Sequence, residues 1–130
     1  MSELCLLDTH VLLWAVAEPH RLAREIKSLI EKQAYVLSVA SLWELINKKE
    51  KRDSPLKDPV MWWDRYVVQP GTPVVPIRSQ HVLYLDRLPS YHRDPYDRIL
   101  IAQSVIEHMS LVTADGEIRK YGINIREATA

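Results

Sequence analysis

Leu4-Cys5-Leu6-Leu7-Asp8-Thr9-His10 is an apolar run that stops at a carboxylate and a hydroxyl. Apolar residues in an unbroken row, without alternation, form a short strand buried on both faces, as in a parallel sheet. In open α/β sheets, ligands bind at the carboxyl ends of the strands. Asp8 therefore stands where a buried strand opens onto a cleft. A plainer role fits the same residues: Asp8 or Thr9 can cap the helix that Val11-Leu12-Leu13-Trp14 begins. This stretch alone leaves both roles open.

Outward from it, the chain alternates between strands and helices. Val11 to Val16 predicts a short helix broken at Pro19, and Leu22, Ile26, Leu29 and Ile30 follow helical spacing. Tyr35-Val36-Leu37-Ser38 predicts a second strand. Val39, Leu42, Trp43 and Ile46 form the stripe of a helix that runs out in Lys48-Lys49-Glu50-Lys51-Arg52, before a loop at Asp53-Ser54-Pro55. Asp58-Pro59 starts a helix with Met61, Trp62, Trp63 and Tyr66, by cap and first-turn proline. Val74-Val75-Pro76-Ile77 predicts an edge strand because of its proline, and Ser79 to Leu85 a short helix. A polar loop from Pro89 leads at Asp94-Pro95-Tyr96-Asp97 into a helix reaching about Met109. Leu111-Val112-Thr113 and Ile123-Asn124-Ile125 predict the last two strands. The expected class is α/β, with a mainly parallel central sheet flanked by helices.

The bulk properties bound the function. The 130 residues suffice for one domain, 1–130, with a single substantial core. Lys+Arg and Asp+Glu both number 17, so nucleic-acid contact has to come from local patches rather than a global basic field. Cys5 is the only cysteine, which excludes an internal disulfide and fits a reducing compartment. No run approaches the ~20 apolar residues of a membrane span. Met1-Ser2-Glu3 lacks the basic-then-apolar pattern of a signal peptide. The expectation is a cytoplasmic protein without membrane contact.

Two apolar strands end near carboxylates in the same way, at Leu7-Asp8-Thr9 and at Val112-Thr113-Ala114-Asp115. In a parallel sheet both ends lie on one edge, which brings Asp8 and Asp115 together if the strands are neighbours. Asp115-Gly116 also reads as turn chemistry. Glu44 lies between Trp43 and Leu45 in an apolar helix and can pair with Lys48 one turn on. Asp94 fits a cap and Asp97 the positive first turn of the following helix, although capping needs only one of them. Each acid has an ordinary role alone. Converging, they would repel severely without a cation. Hard divalent ions take oxygen ligands, and such a cluster suits phosphodiester hydrolysis.

The ordered set Leu7-Asp8-Thr9-His10-Val11-Leu12-Leu13-Trp14, Ser41-Leu42-Trp43-Glu44-Leu45, His92-Arg93-Asp94-Pro95-Tyr96-Asp97-Arg98-Ile99-Leu100-Ile101-Ala102-Gln103 and Leu111-Val112-Thr113-Ala114-Asp115 resembles the PIN-domain ribonucleases, and more narrowly the VapC-type toxins of toxin–antitoxin pairs. The resemblance implies a Rossmann-like PIN fold and endoribonuclease activity dependent on Mg²⁺ or Mn²⁺. It also implies an RNA substrate, a cognate antitoxin and a homodimer. Residue by residue it implies Asp8, Glu44, Asp97 and Asp115 as catalytic and metal-binding acids, with Thr9 and Thr113 as supporting hydroxyls. Asp94 is characteristic of the subgroup, either as a ligand or only as a cap. Gly116-Glu117 departs from the usual pattern, in which a further acid and an aromatic residue follow the fourth acid.

Other readings fare worse. With three glycines, the chain has no glycine-rich nucleotide loop. The five histidines lack paired zinc-ligand spacing. The rival of a different class is a non-catalytic metal- or RNA-binding regulatory protein on the same fold, against which the intact acids argue. Trp62, Trp63 and Tyr66 read as core or dimer interface before base stacking, and His92 and His108 as solvated or capping residues. Lys48, Arg93 and Arg98 are the candidate phosphate contacts.

Overall fold

The computed structural model describes residues 4–54 and 56–130. Met1-Ser2-Glu3 and Pro55, the last residue of the loop expected at 53–55, lie outside the described residues. Among the described residues, five parallel strands follow one another: β1 (Cys5–Leu7), β2 (Leu37–Ser38), β3 (Val74–Val75), β4 (Ser110–Thr113) and β5 (Ile125–Glu127). β1 pairs with β4 from Cys5–Ser110 to Leu7–Val112, and β4 pairs with β5. β2 pairs with β3, and a single parallel bridge between Val36 and Leu6 joins this pair to β1. The resulting order is β3-β2-β1-β4-β5, with the first apolar run at its centre.

Both faces of the sheet are covered, which is why the run does not alternate. Cys5, Leu7 and Val112 face a core built with α1 (Thr9–Ala17), α2 (Arg24–Glu31) and α4 (Pro59–Trp63). Leu6 and Leu111 face the opposite core with α3 (Val39–Lys48) and α6 (Pro95–Ile106). α5 (Ser79–Tyr84) is fastened to the end of α6 by the buried His81, whose Nε2 lies 3.0 Å from Glu107 Oε2. The expected three-layer α/β architecture is thus the observed one. No helix among the described residues is long and apolar enough to cross a membrane.

Several boundaries differ from expectation for local reasons. α1 starts at Thr9, because the Asp8 side chain accepts from the His10 N–H and caps it. α6 stops at Ile106, and His108 turns the chain with φ 56°. β5 begins at Ile125 rather than Ile123, because a helical turn at Ile118–Tyr121 closes on Gly122 in the left-handed region, φ 66°. Trp63 packs in the core and Trp62 is half-buried against it, while Met61 and Tyr66 are exposed.

Candidate metal-binding active site

The central strand pair brings the first and last acids together. Asp8 leaves β1 with its N–H bonded to the Val112 carbonyl at 3.0 Å. Its side chain is buried and both oxygens are used: Oδ1 accepts from His10 N–H at 3.3 Å and Oδ2 from Thr113 Oγ1 at 2.7 Å. Thr113 Oγ1 in turn accepts the Asp115 N–H at 3.0 Å. One hydroxyl therefore sets both acids. The cap and the cleft position that the sequence left open for Asp8 are both occupied by the same carboxylate. Asp115 also shows the expected turn chemistry, with Oδ1 accepting the Glu117 N–H at 2.9 Å.

Thr9 supports from the other side. Its hydroxyl lies 2.8 Å from Ser41 Oγ, tying α1 to α3. One turn on, α3 presents Glu44, which is 4% exposed and so not the surface residue its pairing suggests. Lys48 Nζ does donate to Glu44 Oε2 at 2.6 Å, and it also lies 3.8 Å from Asp94 Oδ2. Glu44 Oε1 is buried with no hydrogen-bond partner. A buried carboxylate oxygen without a donor is costly, and an acceptor of this kind suits a cation or its water shell.

α6 brings the remaining acids. Asp94 Oδ1 accepts from the N–H groups of Tyr96 and Asp97 at 2.9 and 3.2 Å, a cap with Pro95 at the first helical position. Asp97 faces His92, whose Nε2 lies 3.0 Å from Asp97 Oδ2 and 2.8 Å from Asp115 Oδ2. His92 Nδ1 accepts the Asp94 N–H at 3.1 Å. His92 is thus neither solvated nor a simple cap but a bridge between two acids, and sequence reasoning missed it. The only signal lay in its place two residues before a helix cap.

The charges press on one another. Burial, with the charges of Asp8, Asp94 and Glu44, pushes Asp97 up to about 8 against the pull of His92. Burial also raises Asp8, with Glu44 adding to it, against hydrogen bonds and charge from Thr113 and His10. For Asp115, burial is outweighed by the His92 and Glu117 hydrogen bonds and the charges of His92 and His10, so it is held low. Lys48 and His92 are both raised: burial opposes their charge, and the Glu44 and Asp115 hydrogen bonds with the surrounding carboxylates outweigh it. A carboxylate driven so far up, by burial first and by neighbouring acids after it, marks a crowded acidic site short of positive charge.

Asp8, Asp97 and Asp115 line one cavity of about 250 Å³ with His10, Trp14 and Ala114. Glu44 does not line it, but its charge reaches both Asp8 and Asp97. The oxygen-rich donor set fits a hard ion such as Mg²⁺ or Mn²⁺. Of the candidate phosphate contacts, Lys48 stands among the acids. Arg98 does not: it donates to the carbonyls of Pro89 at 2.9 Å and Leu85 at 3.2 Å and holds the loop before α6. Arg93 and Arg98 line a separate apolar groove with Trp43, Ile77, Val82 and Ile99.

Comparison with known proteins gives a consistent result. Residues 5–124 match the family described as PIN domain. The curated protein Ribonuclease VapC22 of Mycobacterium tuberculosis is 31% identical over 118 residues, which cover 89% of this chain and 90% of that protein. Among solved structures, a DNA-bound VapBC from Salmonella typhimurium superposes with TM-score 0.72 at 17% identity, covering 96% of this chain and 98% of that one. FitAcB from Neisseria gonorrhoeae gives 0.66, also at 17% identity, covering 95% and 96%. At these identities the solved structures speak for the fold alone.

Proposed function

Because this chain belongs to the PIN-domain family, among the VapC ribonucleases, we propose that it is a divalent-metal-dependent endoribonuclease and the toxin of a toxin–antitoxin pair. The observation that carries the reading is the convergence of Asp8, Asp97 and Asp115 on one cavity, with Glu44 buried behind them.

Asp8 and Asp97 would hold Mg²⁺ or Mn²⁺, in the cavity that Asp115 also lines. A bound ion of this kind lowers the pKa of water and stabilises charge on the attacking and leaving oxygens. The protein's own share is positioning. Thr113 fixes the Asp8 carboxylate, and Asp94 fixes the end of α6 that carries Asp97. Glu44, whose charge reaches Asp8 and Asp97 from beside the cavity, would help to orient or deprotonate the attacking water, while Lys48 holds Oε2 and keeps the side chain oriented. Lys48 and Arg93 contact RNA phosphates.

Since water attacks, and not the 2′-hydroxyl, the products carry 5′-phosphate and 3′-hydroxyl ends. Sequencing the ends of RNA cut by the purified protein with Mg²⁺ or Mn²⁺ tests this. Products with 2′,3′-cyclic phosphate ends exclude the mechanism, and metal binding without cleavage of any RNA turns the reading to a regulatory protein. The partners we propose are a cognate antitoxin, of the kind the VapBC structural relatives contain, and a second copy of this chain. The exposed Val60 and Met61 on α4 offer an apolar face for the copy. The proposed location is the cytoplasm.

A further inference from the structure

His92 has no part in the mechanism above, yet it sits between two of its acids. When a histidine ligates a metal, its other ring nitrogen usually donates a proton to a carboxylate or carbonyl. The far nitrogen of His92 does the reverse: Nδ1 accepts the Asp94 N–H at 3.1 Å. The proton of the neutral ring is therefore on Nε2, the nitrogen that faces the acids. There it can donate to Asp97 and Asp115 but has no lone pair for a cation. Ligation through Nε2 would place a proton on Nδ1, against the Asp94 N–H. That N–H is held in place because the Asp94 side chain caps α6.

The space is also taken. An Mg²⁺ ion shared by two carboxylates stands about 2.1 Å from each oxygen. His92 Nε2 already lies 3.0 Å from Asp97 Oδ2 and 2.8 Å from Asp115 Oδ2. The other oxygen of Asp115 accepts the Glu117 N–H. The oxygens of Asp8 also carry hydrogen bonds, from His10 N–H and Thr113 Oγ1, but Glu44 Oε1 has no partner and its charge reaches both Asp8 and Asp97.

We infer that His92 is a positioning residue that reserves Asp115: its Nε2–H fills the place between Asp97 and Asp115, so the chain holds one divalent ion, near Asp8, Asp97 and Glu44, and not two. The inference rests on the metal-dependent reading proposed above. It is tested on the full chain with Mn²⁺ alone, by calorimetry and pulsed electron paramagnetic resonance. The wild type should bind one Mn²⁺ per chain, with no directly bonded nitrogen and no spin coupling between ions. His92→Ala should take up a second Mn²⁺ coupled to the first. His92→Asn, too short to bridge both acids, serves as a second variant, with circular dichroism checking that each is folded.

A nitrogen bonded to Mn²⁺, or a coupled pair in the wild type, overturns the inference, and those spectra decide it even if neither variant folds. It is equally overturned if both folded variants stop at one ion. Asp97→Asn separates the two levels. If that variant binds Mn²⁺ as the wild type does, the metal-site reading itself fails. If it loses the ion while the His92 results go the other way, only the role of His92 falls.

Discussion

Thr113 Oγ1 donates to Asp8 Oδ2 across 2.7 Å, between residues 105 positions apart in the chain. The same oxygen accepts the Asp115 N–H, so this hydroxyl orders two acids on adjacent strand ends. Thr113→Val keeps the shape and deletes both bonds. It should cost about 1–3 kcal/mol of stability, as for a buried bond whose partner is left unpaired. Cleavage should fall about tenfold or more, in line with the loss of a group that orients a ligand. Denaturant unfolding and steady-state kinetics on the one variant check both; unchanged kinetics would leave Thr113 a purely structural residue.

Asp8→Asn retains a carbonyl that can still accept from His10 N–H and Thr113, so the cap of α1 survives. It removes one charge from a crowded site. Divalent-ion binding and RNA cleavage should fall by about 100-fold or more, the scale of losing one electrostatic contact to the transition state. Metal-free stability should hold or rise, since repulsion is relieved. Full activity in this variant would sink the proposed site.

The pH dependence of the metal-free protein follows from Asp97. Its folded-state pKa, about 8, lies above the ordinary 3.8. Between those values the folded chain binds more protons than the unfolded one, so stability falls as pH rises through the window. His92 and Asp8, also raised, act in the same direction. Asp115, held low, acts oppositely and only at the acid end. Thermal unfolding in chelator should show a midpoint lower by at least ~5 °C at pH 8 than at pH 5. Mg²⁺ should recover the loss, because it binds the folded state. Asp97→Asn should flatten the profile, and a profile as steep as the wild type's would refute the assignment.

Lys48→Met removes the cation that satisfies Glu44 Oε2. An unpaired buried charge costs several kcal/mol, but the Lys48 side chain is one-third exposed, so the expected loss is about 1–2 kcal/mol. The variant should gain more stability from Mg²⁺ than the wild type does, because the ion then neutralises a barer carboxylate. Equal gains would mean that Glu44 does not feel the ion.

How much of this was legible in sequence depends on how local each cause is. Asp8 could be read because a strand's end and a helix cap are both written in adjacent residues. The α6 cap at Asp94 was legible for the same reason. Glu44 was half legible: its pairing with Lys48 follows from spacing, but its burial depends on α4 and α6 closing over α3. His92 was not legible, because its partner Asp115 lies 23 residues on and comes beside it only through the packing of α6 against β4. β5 was misplaced by two residues because the turn ending at Gly122 takes up chain that hydropathy assigns to the strand.

The pairing of β1 with β4 has a consequence for synthesis. Contacts between the two ends of a chain close last and make folding slow. As the protein leaves the ribosome, Asp8, Glu44 and Asp97 emerge before Ser110–Thr113 exists to pair with Cys5–Leu7 and orient Asp8. A nascent chain at that stage carries most of the acids without the strand that arranges them. A ribonuclease built this way has no assembled site while its own message is still being read through the codons that precede β4.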